Sequence, residues 1–134
     1  MIKKLFYVYY WTKALNLIQK ENYLDAFNYL TKIDENDMKD NIQFFILKGY
    51  SLLNLAEWEY GLRILEKAEY ILTTKKIELN QDSMNYLLFY IYDLKDITFL
   101  AIKKDDESIF WKKKKNDLSF NISKVEKNIN DFFL

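Results

Sequence analysis

The chain contains no proline and only two glycines, Gly49 and Gly61, in 134 residues. Tight two-residue β-hairpins need positive φ, which Asn-Gly and Asp-Gly supply, and neither dipeptide occurs here. An all-β fold is thereby disfavoured. What fills the chain is apolar spacing of three and four: Tyr7, Tyr10, Trp11, Ala14, Leu17 and Ile18 make one stripe on a helix. The same period recurs toward the C-terminus and predicts helices near 4–20, 23–34, 39–55, 57–74, 83–104, 107–116 and 120–133. Breaks fall at Asn22, Asn36-Asp37, Asp82-Ser83, Asp105-Asp106 and residues 116–121, where polar side chains compete for backbone hydrogen bonds. The expected fold class is all-α, and with half of its residues hydrophobic the chain reads as one helical domain over 1–134.

Missing residue types remove whole chemistries. There is no His and no Cys, and Arg63 is the sole arginine among 20 basic residues. Disulfides, Cys/His zinc sites, Ser-His-Asp triads and Cys-His dyads are all excluded. The densest carboxylate cluster, Asp34 to Asp40, does not fit a calcium loop, since no Gly supplies the sharp turn and Phe45 stands where a bidentate Glu is needed. Both glycines lie inside helical stretches, so no phosphate-cradling loop is present. The expectation is a non-enzyme with no catalytic residue, cofactor or metal.

Twenty acidic and 20 basic residues give a net charge of zero, so the molecule as a whole does not steer toward nucleic acid or an anionic membrane. One segment departs from this balance. Between Asp34 and Glu69 eight carboxylates meet four basic residues, a local excess of negative charge suited to a basic partner. The start Met1-Ile2-Lys3-Lys4, followed by a tyrosine-rich apolar run, lacks the leucine-rich centre and cleavage site of a signal peptide. No segment reaches the ~18 apolar residues of a membrane span. A cytoplasmic protein without a membrane partner is expected.

The first two helical pairs also repeat. A shift of 35 residues lays Tyr10 on Phe45, Ala14 on Gly49, Leu17 on Leu52, Tyr23 on Trp58, Ala26 on Gly61, Leu30 on Leu65 and Ile33 on Ala68. Small residues would mark the closest approach of antiparallel helices, with aromatics filling the space beside them. This pattern resembles the tetratricopeptide repeat over roughly residues 7–74. It departs in three ways: Lys13 and Lys48 stand where Leu is usual, the closing Pro is missing from both units, and the period is one residue long. The resemblance implies hairpins 4–34 and 39–74 stacked as a short solenoid, followed by a diverged hairpin and a capping helix within 83–133.

The resemblance also implies a concave face lined by Val8, Trp11, Leu15, Ile18, Gln43, Ile46, Tyr50, Leu53 and Asn54, of which Leu15, Ile18, Ile46 and Leu53 are read as core first and groove second. Trp11 and Tyr50 suit an interface because each couples an apolar body to a polar tip. Glu59, Glu66 and Glu69, at spacings of seven and three, fall near one helix face, with Asp37 and Asp40 at the preceding turn. The expected partner-binding residues are therefore Trp11, Tyr50, Asp37, Asp40, Glu59, Glu66 and Glu69. The expected function is protein binding without catalysis. Its most specific form is an immunity- or antitoxin-type inhibitor whose acidic face covers a basic toxin domain, suggested by a short chain that begins at Met and carries no linker or second domain. A scaffold or chaperone adaptor is the runner-up. Third is a nucleic-acid-binding protein using Phe110-Trp111 and Lys112 to Lys115, a run that Asp105-Asp106-Glu107 offsets.

Overall fold

A computed structural model describes residues 2–75 and 78–127. Six α-helices account for most of it: α1 Ile2–Gln19, α2 Tyr23–Thr31, α3 Ile42–Asn54, α4 Trp58–Thr74, α5 Gln81–Ala101 and α6 Asp105–Asn116. Among the described residues there is no strand, and no helix is long and apolar enough to cross a membrane. The fold is all-α, as the periodicity requires. The chain divides into two compact units, Met1–Ala68 and Glu69–Leu134, the division falling inside α4.

Each hairpin turn is closed in the same way. At the end of α1, Asn22 N donates to Leu17 O (2.8 Å) and Glu21 N to Ile18 O (2.9 Å). After α3, Glu57 N donates to Leu52 O (3.0 Å) and Ala56 N to Leu53 O (3.1 Å); after α5, Lys104 N donates to Phe99 O (2.8 Å) and Lys103 N to Leu100 O (3.1 Å). These are paired six-to-one and five-to-two bonds, which reverse the chain while satisfying the last helical carbonyls. They require a left-handed residue, and Glu21 (φ 59°), Ala56 (φ 61°) and Lys103 (φ 61°) take that conformation. The first two turns stand at the 35-residue offset read from the sequence.

In the first unit α1 packs on α2 and α2 on α3. Ala14 and Ala26 are fully buried on the first pair. In the second pair a Cβ built on Gly49 would lie 2.9 Å from Leu65 Cδ2 and 3.4 Å from the Gly61 carbonyl, and one on Gly61 would lie 2.7 Å from Leu53 Cδ2. Helices α3 and α4 therefore touch where the small residues stand. The core around them is Leu30, Phe44, Ile46, Leu52, Ile64 and Leu65, each at most 2% exposed.

Two boundaries differ from the periodicity reading. Helix α2 stops at Thr31 and α3 begins at Ile42, because Asp34 caps a 3-10 turn over Glu35–Met38 and Asn41 caps α3 by accepting from Phe44 N. Local side-chain acceptors outcompete helix continuation there.

In the second unit α5 packs on α6. The expected closing helix 120–133 is corrected over residues 120–126; residue 127 is helical. Residues 117–126 form an irregular strap with one 3-10 turn, Ile122–Lys124. The first turns of α5 bind this strap: Asp82 accepts from Asn121 N (2.8 Å), Asn80 donates to Lys124 O, Asn85 donates to Ser119 O (2.9 Å each), and Ser83 Oγ accepts from Glu126 N (2.9 Å). Phe120 packs edge-on to Tyr86 and Phe89. The remainder, 128–133, lies outside the described residues.

Two substitutions check this account. Ala56→Gly relieves a left-handed alanine and is expected to raise stability by up to ~1 kcal/mol, net of the added unfolded-state freedom. Gly61→Leu drives a side chain into Leu53 and is expected to cost roughly 1–3 kcal/mol by overpacking. Chemical denaturation of both variants reads the two signs.

Candidate functional site

The acidic segment meets cations of its own chain. In the first unit Glu35 on the 3-10 turn binds Lys48 Nζ through Oε1 (2.7 Å) and Lys67 Nζ through Oε2 (2.9 Å). Lys48 is 4% exposed and also lies over the Phe44 and Phe27 rings. Asp37 accepts from Lys3 Nζ (2.7 Å) and from the Tyr7 hydroxyl (2.7 Å), which itself accepts from Asp34 N. The Asp37 carboxyl is held below its ordinary value chiefly by the Lys3 hydrogen bond and then by Tyr7. For Glu35, burial raises the pKa, but the hydrogen bonds and charges of Lys48 and Lys67 outweigh it and leave it lowered.

In the second unit Glu69 accepts from Lys95 Nζ (2.5 Å). Lys95 is 4% exposed, its ammonium 4.0 Å from the centroid of the Trp111 ring, and that ring packs against Tyr92. Burial, and then the Glu69 charge, push the Tyr92 hydroxyl up. Below them, Ser108 Oγ donates to Asp96 Oδ1 (2.5 Å), both residues buried, and Lys115 binds Asp93 (2.8 Å) and Asp96 (3.7 Å). The Lys115 ammonium is raised, first by its hydrogen bond to Asp93. These contacts tie α6 to α5.

The expected site residues therefore separate. Asp37 is engaged by Lys3 and Glu69 by Lys95. Glu59, Glu66 and Asp40 are exposed. Trp11 is half-buried against Phe44, and Tyr50 is half-buried edge-on to Tyr23, whose hydroxyl is pushed up to about 12, chiefly by its hydrogen bond to Tyr50. Of the expected concave face, Ile46 (1% exposed) and Leu53 (6%) belong to the core. An open groove through those positions is not formed. The lysine run is also partly used: Lys115 is ion-paired and Lys114 lies over Tyr92, Phe110 and Trp111. Among the described residues no group of three or more acidic side chains is arranged to hold a metal ion.

Sequence reasoning did not single out Lys48 and Lys95 as buried charges. The signal was present, for Lys48 interrupts the buried stripe Phe45, Leu52 and Lys95 interrupts Ile91, Thr98 at the same spacing. A cation on an apolar stripe requires a carboxylate facing it. Of the outward side of α1 only Val8 was singled out. Along this helix only Ala14 is buried, and Ile2, Leu5, Phe6, Val8 and Tyr9 are each at least half exposed. No family model, curated protein or solved structure matches the chain.

Because the folded-state pKa of Glu35 lies below its ordinary 4.5, its contribution is complete above that value and is lost as pH falls through the folded one. Glu35→Gln leaves Lys48 buried without its counter-charge and is expected to cost about 2 kcal/mol at neutral pH. Acidification protonates Glu35 in the wild type and produces the same loss. Thermal melts of the two proteins are expected to differ at neutral pH and to converge as the medium is acidified through the lowered Glu35 pKa.

Proposed function

We propose that the chain is a non-catalytic protein-binding module, in its most specific form an immunity- or antitoxin-type inhibitor that binds and neutralises a cognate protein toxin. The outward side of α1 carries this reading. Ile2 is 71% exposed, Leu5 73%, Phe6 53%, Val8 63% and Tyr9 50%, on consecutive turns of one helix. Together they present on the order of several hundred Å² of apolar surface, a sizeable part of the roughly 800 Å² that each partner gives to a standard interface. Phe6 and Tyr9 are side chains of the kind that anchor interfaces. Inhibition asks for no chemistry beyond covering the partner's working surface. The open carboxylates Glu59 and Glu66, seven residues apart on α4, add a place for steering charge.

Affinity purification from the native cell, followed by activity assay of whatever binds stoichiometrically, tests the proposal. The expected result is a captured toxin whose activity falls when the chain is added. Leu5→Ser combined with Phe6→Ser is expected to weaken that complex by at least ~2 kcal/mol while leaving the melting temperature unchanged. A captured protein that stays fully active would make the chain a scaffold or adaptor. Recovery of RNA or DNA, lost on neutralising Lys112 and Lys113, would overturn protein binding altogether.

A further inference from the structure

The groove between α1 and α2 has a volume of about 440 Å³ and is lined by Lys13, Asn16, Leu17, Lys20, Asp25, Asn28, Tyr29 and Lys32. Three of these are cations. Among the described residues none of the three lies within ion-pair distance of a carboxylate, and the one lining carboxylate, Asp25, accepts from the Asn22 side chain (2.9 Å). Lys13 lies over the Tyr9 ring (5.7 Å), and Lys32 over Tyr29 (4.8 Å) and Tyr10 (5.4 Å). The rings thus hold the ammonium groups at the groove while leaving their charge unneutralised.

The same groove continues into the apolar side of α1. Ile2, Phe6, Tyr9, Lys13, Asn16 and Lys20 follow one another at steps of four and three, the seam by which one helix receives another. Its first half is apolar and exposed, and its second half is amide and cation. Lys13 and Lys20 stand two turns apart, roughly 10 Å along the axis. That spread does not converge on a single phosphate; it matches carboxylates set one or two turns apart on a facing helix. Helix α1 carries no acidic residue at all, so nothing on it repels such a partner.

We infer that the α1–α2 groove receives an amphipathic helix of a protein partner, apolar along one half of its seam and acidic along the other. This rests on the chain being a protein-binding module and adds the chemistry of what it binds. The segment's aliphatic or aromatic residues lie on Ile2, Phe6 and Tyr9, and its Glu or Asp side chains meet Lys13, Lys20 and Lys32. The charge it seeks is opposite in sign to that suggested by the acidic segment, whose carboxylates Glu35, Asp37 and Glu69 already have lysine partners.

The test uses the full chain and a labelled synthetic helix of about 18 residues, with Leu at the seam positions of its first half and Glu at those of its second. Fluorescence anisotropy is expected to show saturable binding that weakens as salt rises. Lys13→Glu with Lys20→Glu, at exposed positions that leave the melting temperature unchanged, is expected to weaken binding at least tenfold and to confer binding of the matching peptide with Lys for Glu. Lys32→Glu alone is expected to weaken it severalfold. Equal binding of the Glu and Lys peptides by the wild type, or no binding of either, overturns the inference. So does preferential binding to phosphatidylglycerol vesicles, or a groove already filled by a second copy, seen as a mass in light scattering that falls to the monomer in the Lys13/Lys20 variant. Failure here leaves native-partner capture untouched, and a capture that yields no protein leaves the peptide result standing, so the two readings fall separately.

Discussion

The three hairpins α1–α2, α3–α4 and α5–α6 each depend on one backbone event, a single residue forced into the left-handed region at the end of an α-helix. Glu21, Ala56 and Lys103 make it possible for α1, α3 and α5 to stop with their last carbonyls bonded and for the next helix to start two residues later. Glycine would serve at less conformational cost, yet both glycines of the chain are spent elsewhere, at the contact of α3 with α4. There the requirement is space, not φ. The chain thus places its two smallest residues where helix axes must approach and accepts strain at its turns, each strained residue costing on the order of 1 kcal/mol.

Much of this was legible. Apolar periodicity and capping side chains located six helices, and the 35-residue offset between Tyr10 and Phe45, Ala14 and Gly49 also relates the turns at Glu21 and Ala56. Three things were not legible, each for a physical reason. The 3-10 turn Glu35–Met38 arises from competition between Asp34 and the helix for backbone N–H groups, a balance that periodicity does not register. The strap 117–126 is held by α5 side chains more than 30 residues away in sequence, so no local pattern announces it. Charge count, finally, is blind to pairing: the local acidic excess between Asp34 and Glu69 is a fact of composition, but Lys3 and Lys95, both outside that window, neutralise part of it.

The pairing redistributes charge over the first unit. Carboxylates of the acidic segment are drawn onto Lys3, Lys48 and Lys67, while the α1–α2 groove keeps Lys13, Lys20 and Lys32 without counter-ions among the described residues. A chain of zero net charge therefore carries a cationic, ring-lined face beside an apolar one, and whole-molecule electrostatics understates how it meets another surface. Lys48 and Lys95 show the opposite use of the same side chain. Buried among rings, each is paired with one carboxylate, Lys48 with Glu35 and Lys95 with Glu69, so that breaking either pair would strand a buried charge.

Those internal pairs consist of lysine and carboxylate alone, in a chain that contains no imidazole and no thiol. The folded state lowers the Glu35 and Asp37 carboxyls and raises the Lys3 and Lys115 ammonium groups, widening the gap between acid and base from both sides. With neither imidazole nor thiol, the sequence holds no side chain whose unperturbed pKa falls between pH 5 and 8. At these four groups the molecule is buffer-indifferent: moved from a mildly acidic to a mildly alkaline medium it keeps their charges. Ionic strength, which screens the exposed lysines and spares the buried ones, is the variable of the medium to which it responds.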